Sequence, residues 1–322
     1  MAIYTKLSEN NLKEFFLKYN LGKLLNYKGI QEGIENTNYF IQTDKGKFIL
    51  TVYEKRVEEK DLPFFMGLMK NLFDANFPSP EPIINKNGNY VTEISGKKAA
   101  VVSFLDGSAK KNLNPNDCHK VGIQAAKLHL ITKKLIGKRE NKLSVNSWRK
   151  IYKKVQKDCS RIHLNLAKTI EKNLDEIENN WPKNIPSGII HADLFPDNIF
   201  FKDDKLTGII DFYFSCYDFY VFEIAICLNA LCFEGQKENL SFNVTKAKKF
   251  IDGYSSIKKL TEEEKKSLKI LCQGAAMRFL LTRVFDYLNL TEGALVKIKD
   301  PIEYLKRLEF HNSVKDHQDY FF

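Results

Sequence analysis

The residues best suited to chemistry lie between short apolar runs in the second half of the chain. His191, Asp193 and Asn198 have the spacing H-x-D-x-x-x-x-N, which is typical of a loop that catalyses phosphoryl transfer. Asp211 stands at the end of the next apolar run. In phosphoryl transfer one carboxylate orients the acceptor hydroxyl, while an amide oxygen and a second carboxylate hold Mg²⁺ on the phosphates. The residue types and their spacing therefore favour that reaction.

A purely structural explanation of the same residues is also open. Asp193 and Asp211 are suitable turn residues for capping strands, and Asn198 would then belong to an ordinary Asp-Asn turn. However, the full spacing, the Pro196-Asp197-Asn198 turn, the flanking apolar runs and the second aspartate all agree with one another. This agreement favours the catalytic interpretation.

Length and composition indicate a globular protein with two lobes or domains. The chain has 322 residues, of which 43% are hydrophobic and 28% charged, so it can bury a sizeable core without disulfide bonds. The formal net charge is +10, but the lysines are scattered and form no arginine-rich block or aromatic-interleaved basic motif. We therefore expect no nucleic-acid partner. The sequence leaves the oligomeric state open.

The cysteines and the apolar segments bear on the cellular compartment. The six cysteines form no C-x-x-C pair and no zinc-like spacing with the six histidines. Residues 1–11 lack the apolar region of a signal peptide. The most apolar stretch, residues 219–233, is interrupted by Glu223 and Asn229 and is too short to span a bilayer. The sequence therefore predicts a cytoplasmic protein with reduced thiols and no membrane partner.

Hydrophobic periodicity changes near residue 105. Before it, alternating runs predict strands around two helices, and after it helical periodicity dominates, with one island of strands. Ser8 and Thr261 are predicted helix N-caps, the second within a capping box. We predict an α+β fold with a small antiparallel-sheet lobe at residues 1–105 and a larger, mainly helical lobe at residues 106–322. Strands are expected at residues 38–42, 47–53, 90–94, 99–105, 188–190, 199–202 and 206–210.

Several segments resemble a known superfamily. Residues 191–201, HADLFPDNIFF, and residues 209–212, IIDF, resemble the aminoglycoside phosphotransferase and choline kinase group, which has a two-lobed protein-kinase-like fold. Longer segments resemble the homoserine kinases of the kinase-like type, and the resemblance runs from about residue 3 to residue 311. These segments are residues 33–40, 48–57, 61–69, 211–218, 222–233, 277–287 and 299–305.

The resemblance implies a reaction and roles for the central residues. Asp193 would be the catalytic base, and Asn198 and Asp211 would bind Mg²⁺. The implied reaction transfers the γ-phosphoryl group of ATP to the side-chain hydroxyl of L-homoserine, a step toward threonine. The alternatives are a kinase for choline, methylthioribose or an aminoglycoside, and a catalytically silent nucleotide sensor.

The resemblance also implies where ATP binds. Residues 29–38 would fold over the phosphates with Gly33 and Asn36 at the tip, although by composition alone this segment is only a hairpin turn. Ser103 and Leu105 would lie at the hinge that contacts adenine. An ordinary edge strand explains these two residues equally well.

The cation that usually holds the nucleotide is missing from its expected position. Thr51 stands where most members of the superfamily carry a lysine on the strand at residues 47–53. Lys55 lies on the same face of that strand by period-two alternation, and is the candidate replacement. Glu58 and Glu59 are weak candidates for the glutamate that usually pairs with the lysine.

Two arginines are candidates for binding the acceptor. Arg278 and Arg283 lie in a largely apolar helix, where a guanidinium usually meets a carboxylate or a phosphate. An amino-acid substrate would supply a carboxylate, and Tyr213 and Tyr217 would line the same pocket. The alternative is an internal salt bridge to an acidic neighbour: Glu223, Asp218 or Asp286.

Overall fold

A computed structural model of the chain divides into two compact units. It describes residues 4–31, 36–54, 57–135, 137–235, 239–289 and 299–320. The first unit comprises residues 1–108 together with residues 207–213, and the second comprises residues 109–206 and 214–322. A short segment that follows the predicted catalytic loop is therefore part of the first unit.

The first unit is built around an antiparallel sheet. Five strands run in the order β1-β2-β3-β6-β4, and β5 pairs with β6 outside this path. The unit also contains two helices, α1 (Glu9–Phe16) and α2 (Leu62–Asp74). The strands are β1 (Leu24–Ile30), β2 (Thr37–Thr43), β3 (Gly46–Val52), β4 (Pro82–Ile83), β5 (Val91–Ile94) and β6 (Lys97–Ser103).

The core of the first unit forms where alternating strand residues meet α1. Every second residue of β2 is buried, including Tyr39 and Ile41, as expected for a strand with one face against a core. Leu50 of β3 and Phe15 of α1 belong to the same hydrophobic cluster. The N-cap of α1 is Ser8, as predicted, and its side chain accepts the N–H of Asn11.

The second unit is mainly helical, with short strands between its helices. The helices are α3 (Pro115–Ile131), α4 (Val145–Val155), α5 (Leu166–Asn180), α6 (Tyr220–Leu231), α7 (Val244–Ser255), α8 (Glu262–Leu288) and α9 (Ile302–Ser313). Strand β8 pairs with β11, β12 pairs with β13, and a three-stranded sheet has the order β10-β9-β7. The strands that follow β6 along the chain are β7 (Ser108–Ala109), β8 (Ser187–Ile190), β9 (Ile199–Lys202), β10 (Lys205–Ile209), β11 (Cys216–Phe219), β12 (Phe233–Glu234) and β13 (Ser241–Phe242). Of these, Ser108 of β7 and residues 207–209 of β10 belong to the first unit.

The elements expected from periodicity are present, with small shifts at their ends. Thr261 caps α8 in a capping box with Glu264, as predicted. The strand predicted at residues 99–105 begins at Lys97 and ends at Ser103. All six cysteines are buried and none forms a disulfide. Among the described residues, no helix combines the length and the apolar character needed to cross a bilayer.

Two glycines allow α3 and α7 to pack backbone to backbone. A Cβ atom added to Gly122 of α3 would lie 2.1 Å from the carbonyl oxygen of Phe250 on α7. A Cβ added to Gly253 of α7 would lie 2.1 Å from the carbonyl oxygen of His119 on α3. Because both neighbours are backbone atoms, neither contact can be relieved by rotating a side chain.

We predict opposite stability effects from the same change at two helical glycines. Gly122→Ala should lower the free energy of unfolding by about 2 kcal/mol, since it forces two helices apart. Gly67→Ala in α2 is the matched control, because its added Cβ meets no atom within 4 Å. It should raise the free energy of unfolding by up to about 1 kcal/mol through helix propensity alone. Urea unfolding followed by circular dichroism measures both, and equal stability of the two variants would contradict this packing.

Candidate active site

The predicted catalytic loop begins where a buried strand ends. β8 pairs antiparallel with β11, and Ile190 lies opposite Cys216. Immediately after β8 the chain turns at Ala192, whose φ of +65° lies in the left-handed region that side-chain-bearing residues rarely adopt. Such a conformation costs on the order of 1 kcal/mol and persists only where the surroundings hold it.

A buried carboxylate and a buried guanidinium hold this turn. Glu223 of α6 accepts hydrogen bonds through Oε2 from the backbone N–H groups of His191 and, at 3.1 Å, of Ala192. Arg278 of α8 donates from Nη1 to the carbonyl oxygen of Ala192 at 2.8 Å. The Glu223 side chain is fully buried and Arg278 is 2% exposed. Two helices therefore fix the backbone directly before Asp193.

The environment of Glu223 makes its charge sensitive to pH. Burial raises the pKa of Glu223 to about 7, although its two backbone hydrogen bonds and the nearby Arg278 act in the opposite direction. Among the described residues, Oε1 of Glu223 and Nε of Arg278 have no hydrogen-bond partner. The carboxylate is therefore held by one oxygen, and its pKa is raised into the neutral range.

Within the loop, Asn198 is held against Asp193. Its amide nitrogen donates to the carbonyl oxygen of Asp193 at 2.8 Å and to Oδ2 of Asp193 at 3.1 Å. The amide oxygen of Asn198 takes no part in these two hydrogen bonds. It is a suitable metal ligand, because Mg²⁺ prefers oxygen donors and takes few of them from the protein.

The second predicted metal ligand, Asp211, belongs to the first unit. It follows β10, and its φ of +65° also lies in the left-handed region. The segment before it is anchored within that unit, since Ile209 donates its N–H to the carbonyl oxygen of Pro78 at 2.7 Å. The carboxylate oxygens of Asp211, like the amide oxygen of Asn198, are donors that Mg²⁺ prefers. The described residues contain no cluster of three or more His, Cys, Asp or Glu side chains for an all-protein metal site.

Tyr213, predicted to contact the acceptor, packs in an aromatic cluster of the first unit. Its ring lies edge-on to Tyr53 and Phe65, with centroids 5.3 and 5.5 Å away. Its hydroxyl lies 3.1 Å from that of Tyr53. Burial, with Asp211 adding to it, raises the pKa of Tyr213 to about 12, so the phenol stays neutral.

The described residues expected at the nucleotide also make internal hydrogen bonds. Asn36 accepts the N–H of Glu54 at 3.2 Å, and Ser103 accepts the N–H of Glu81 at 2.8 Å. Thr51, at the position of the missing lysine, donates to Asn38 on the paired strand β2 at 2.8 Å. Leu105 is partly buried just beyond the end of β6.

Two of the nucleotide candidates lie outside the described residues. These are Gly33 and Lys55. The two glutamates that were candidates for pairing with the nucleotide-binding lysine lie at the surface. Glu58 pairs with Lys60 at 3.0 Å, and Glu59 approaches Lys98 at 3.8 Å.

Both arginines of α8 have internal partners. The hydrogen bond of Arg278 goes to a backbone carbonyl. Burial raises the pKa values of Glu223 and Asp218, and the charge of Arg278 partly opposes that rise. Arg283 pairs with Glu303 at 2.8 Å, a carboxylate that was not among the predicted partners. The prediction missed Glu303 because that residue lies on α9, where sequence distance gives no sign of the contact.

Sequence reasoning also missed the function of Glu223. It was noted as a charged interruption of an apolar segment and as a possible salt-bridge partner of the two arginines, but not as an acceptor of backbone N–H groups. A buried carboxylate needs hydrogen-bond partners. The presence of Glu223 in a strongly apolar segment was therefore the signal that it binds other buried polar groups. Tyr217, predicted to line the acceptor pocket, pairs with Ile189 of β8, and its hydroxyl accepts from Ser187 at 3.1 Å.

Comparisons with known proteins relate this chain to known phosphotransferases. The model of the phosphotransferase enzyme family, APH, matches residues 26–256. A homoserine kinase of Beijerinckia indica is 46% identical over 98% of this chain and 97% of its own. A homoserine kinase of Xanthobacter autotrophicus is 46% identical over 99% of each chain.

A solved structure shows the same architecture at low sequence identity. The amicoumacin kinase hAmiN, in complex with AMP-PNP, Ca²⁺ and Ami, has a TM-score of 0.70 at 14% identity and covers 97% of this chain and 95% of its own. The expected α+β protein-kinase-like fold is thus confirmed. The chain belongs to the phosphotransferase enzyme family and, within it, to the homoserine kinases.

We predict that Glu223 makes the stability of the protein fall as pH rises. Its pKa is higher in the folded protein than in the unfolded chain, so folding takes up a proton between the two values. The resulting stabilisation is present at low pH and is lost as pH rises through about 7. From about pH 5.5 to about pH 8 the loss should be roughly 2 kcal/mol.

The variant Glu223→Gln isolates this contribution, because a glutamine oxygen can still accept both backbone N–H groups without a charge. Subtracting its unfolding free energy from that of the wild type at each pH removes the contributions of all other groups. A difference that decreases with pH supports the assignment. Parallel stability curves for the two proteins would contradict it.

Proposed function

We propose that the protein transfers the γ-phosphoryl group of ATP to the side-chain hydroxyl of L-homoserine, with O-phospho-L-homoserine and ADP as products. The observation that carries the proposal is the pairing of Asp193 with Asn198 on a loop whose backbone Glu223 and Arg278 hold in place. The near full-length similarity to homoserine kinases supports this acceptor. The AMP-PNP bound to the amicoumacin kinase of the same fold supports ATP as the donor.

In this proposal Asp193 accepts a hydrogen bond from the homoserine hydroxyl and takes its proton as the oxygen attacks the γ-phosphorus. The bond between that phosphorus and the β–γ bridging oxygen breaks, and the leaving group is ADP. The barrier falls mainly because the hydroxyl is oriented for in-line attack in a prearranged electrostatic environment. Asn198 supports the step by fixing the Asp193 side chain through Oδ2.

Asn198 and Asp211 are the residues proposed to hold Mg²⁺ with the phosphates, and both offer oxygen donors. Bound there, Mg²⁺ would offset the negative charge of the phosphates. Asn36, Ser103 and Leu105 are proposed to lie at the nucleotide, together with Gly33 and Lys55. For Arg278 we propose a positioning role toward Ala192, since it is 2% exposed. Arg283 and Tyr213 remain proposed contacts of the acceptor.

The experiment compares two aspartates of the same loop. Asp193→Asn should lower kcat with L-homoserine by about 10³-fold, because it removes the proton acceptor while preserving side-chain volume. Binding of Mg-ATP, measured by calorimetry, should be nearly unchanged. Asp197→Asn is the matched control, since the Asp197 side chain is 64% exposed and pairs with Lys299 at 3.5 Å. It should retain near wild-type turnover.

Coupled ADP release measures turnover for both variants. Near-full activity of Asp193→Asn would exclude Asp193 as the base. An equal loss in both variants would show that any change of charge in the loop is damaging, and would remove the support for a specific role of Asp193.

A further inference from the structure

The segment just before α9 lies against the catalytic loop within the second unit. The ammonium nitrogen of Lys299 is 3.5 Å from Oδ2 of Asp197 and 5.2 Å from the centre of the Phe195 ring. Phe195 follows Asp193 by two positions and donates its N–H to the carbonyl oxygen of Asp193 at 2.9 Å. A cation from a distant part of the chain is therefore held at the loop that carries the proposed base.

Arg283 of α8 fixes the backbone beside Lys299. Its Nη1 donates to the carbonyl oxygen of Asp300 at 2.9 Å and to the carboxylate of Glu303 at 2.8 Å. Its guanidinium carbon lies 4.5 Å from the centre of the Tyr304 ring. An arginine with such hydrogen bonds and a ring contact is a firm anchor, because its planar group is already organised for both. Arg283 therefore holds the chain at the residue directly after Lys299.

The aromatic ring under Lys299 is also fixed. Phe195 meets Phe279 of α8 edge-on, with ring centroids 4.9 Å apart. Phe279 in turn packs against Tyr304 of α9, at a centroid distance of 5.1 Å. Attraction between the ammonium group and the ring face favours this position of the Lys299 side chain. The contact between Lys299 and the loop is thus supported by two helices.

The charge of Lys299 is accessible to a ligand, in contrast to that of the two arginines. Arg278 is buried and binds a backbone carbonyl, and the Arg283 side chain is only 11% exposed. The Lys299 side chain is 46% exposed, and its partner Asp197 is more exposed still. Ion pairs in such surroundings are weak, and an ammonium group has three N–H donors. Lys299 can therefore bind a further anion beside Asp197.

The dimensions of homoserine match this placement. Four bonds of about 1.5 Å separate its hydroxyl oxygen from its carboxylate carbon, which gives about 5 Å in the extended form. The two residues from Asp193 to Phe195 span at most about 7 Å. An acceptor whose hydroxyl lies at Asp193 can therefore bring its carboxylate to the level of the Phe195 ring, over which the Lys299 ammonium lies.

We propose that Lys299 determines acceptor specificity by donating a hydrogen bond to the α-carboxylate of L-homoserine. The inference rests on the proposed function, because it takes the acceptor hydroxyl to lie at Asp193. A hydrogen bond between two charged groups favours an amino acid over an amino alcohol with the same hydroxyl. Arg283 supports this contact by holding the segment that carries Lys299.

The first test is the kinetics of Lys299→Met, which keeps the length of the side chain and removes its charge. KM for L-homoserine should rise by about 30-fold, the loss expected for a charge-assisted hydrogen bond. kcat should fall by less than about threefold, since the contact serves the ground state and the transition state alike. KM for ATP should not change. Lys299→Arg, which restores a cation, should recover most of the affinity for L-homoserine.

Two competitive inhibitors identify the group that Lys299 binds. L-2-Aminobutyrate keeps the carboxylate of homoserine, whereas 3-aminopropan-1-ol lacks it. In Lys299→Met the inhibition constant of L-2-aminobutyrate should rise by the same factor as KM for L-homoserine. The constant of 3-aminopropan-1-ol should stay within about twofold of its wild-type value. Equal weakening of both inhibitors would overturn the proposal, because a carboxylate contact cannot affect a ligand without a carboxylate.

Lys306→Met is the matched control for the loss of one charge. Lys306 lies on α9, is 40% exposed and pairs with Glu309 of the same helix at 2.9 Å. Its substitution should leave KM for L-homoserine unchanged. An equal rise in KM for the two variants would overturn the proposal, as would a rise in KM for ATP, or a fall in kcat alone, with Lys299→Met. Failure of the proposed function would appear separately, as wild-type protein that does not phosphorylate L-homoserine.

Discussion

The geometry of the catalytic loop depends on one buried carboxylate. Glu223 enters the core on an apolar helix and accepts two consecutive backbone N–H groups, those of His191 and Ala192. An unpaired buried carboxylate is strongly unfavourable, so these hydrogen bonds stabilise the charge and fix the loop at once. Arg278 completes the arrangement by binding the carbonyl oxygen of Ala192. The position of the loop backbone therefore depends on Glu223 and Arg278.

The two left-handed residues of the candidate site mark where the backbone is constrained. Ala192 directly precedes Asp193, and Asp211 itself has φ of +65°. Backbone strain of this kind is concentrated at functional sites, where neighbouring interactions over-determine the conformation. At Ala192 those interactions are the bonds to Glu223 and Arg278. The conformation of Ala192 thus fixes the backbone from which the Asp193 side chain extends.

Much of the fold follows from local sequence patterns, because the signals involved span only a few residues. The caps at Ser8 and Thr261 and the alternation of β2 have local causes, and the structure contains each of them. The candidate loop was likewise visible, since its spacing is contained within residues 191–198.

The features that the sequence patterns did not predict depend on contacts between residues that are far apart in the sequence. The partner of Arg283 on α9 lies twenty positions along the chain, and the partner of Glu223 lies more than thirty positions before it. Strand β11 is too short for a period-two signal, so its pairing with β8, which places Tyr217 opposite Ile189, was not predicted. The periodicity of a sequence does not show which buried charged side chain will form a hydrogen bond with which backbone group.

The measurement that most directly tests the account is ³¹P NMR of the protein with Mg-ATP and each candidate acceptor: L-homoserine, choline, methylthioribose and kanamycin. The account predicts that L-homoserine alone converts the γ-phosphate signal into a phosphomonoester, with an equal amount of ADP. A phosphomonoester formed only with another acceptor would contradict homoserine as the substrate. Formation of inorganic phosphate alone, with every acceptor, would contradict phosphoryl transfer to an alcohol.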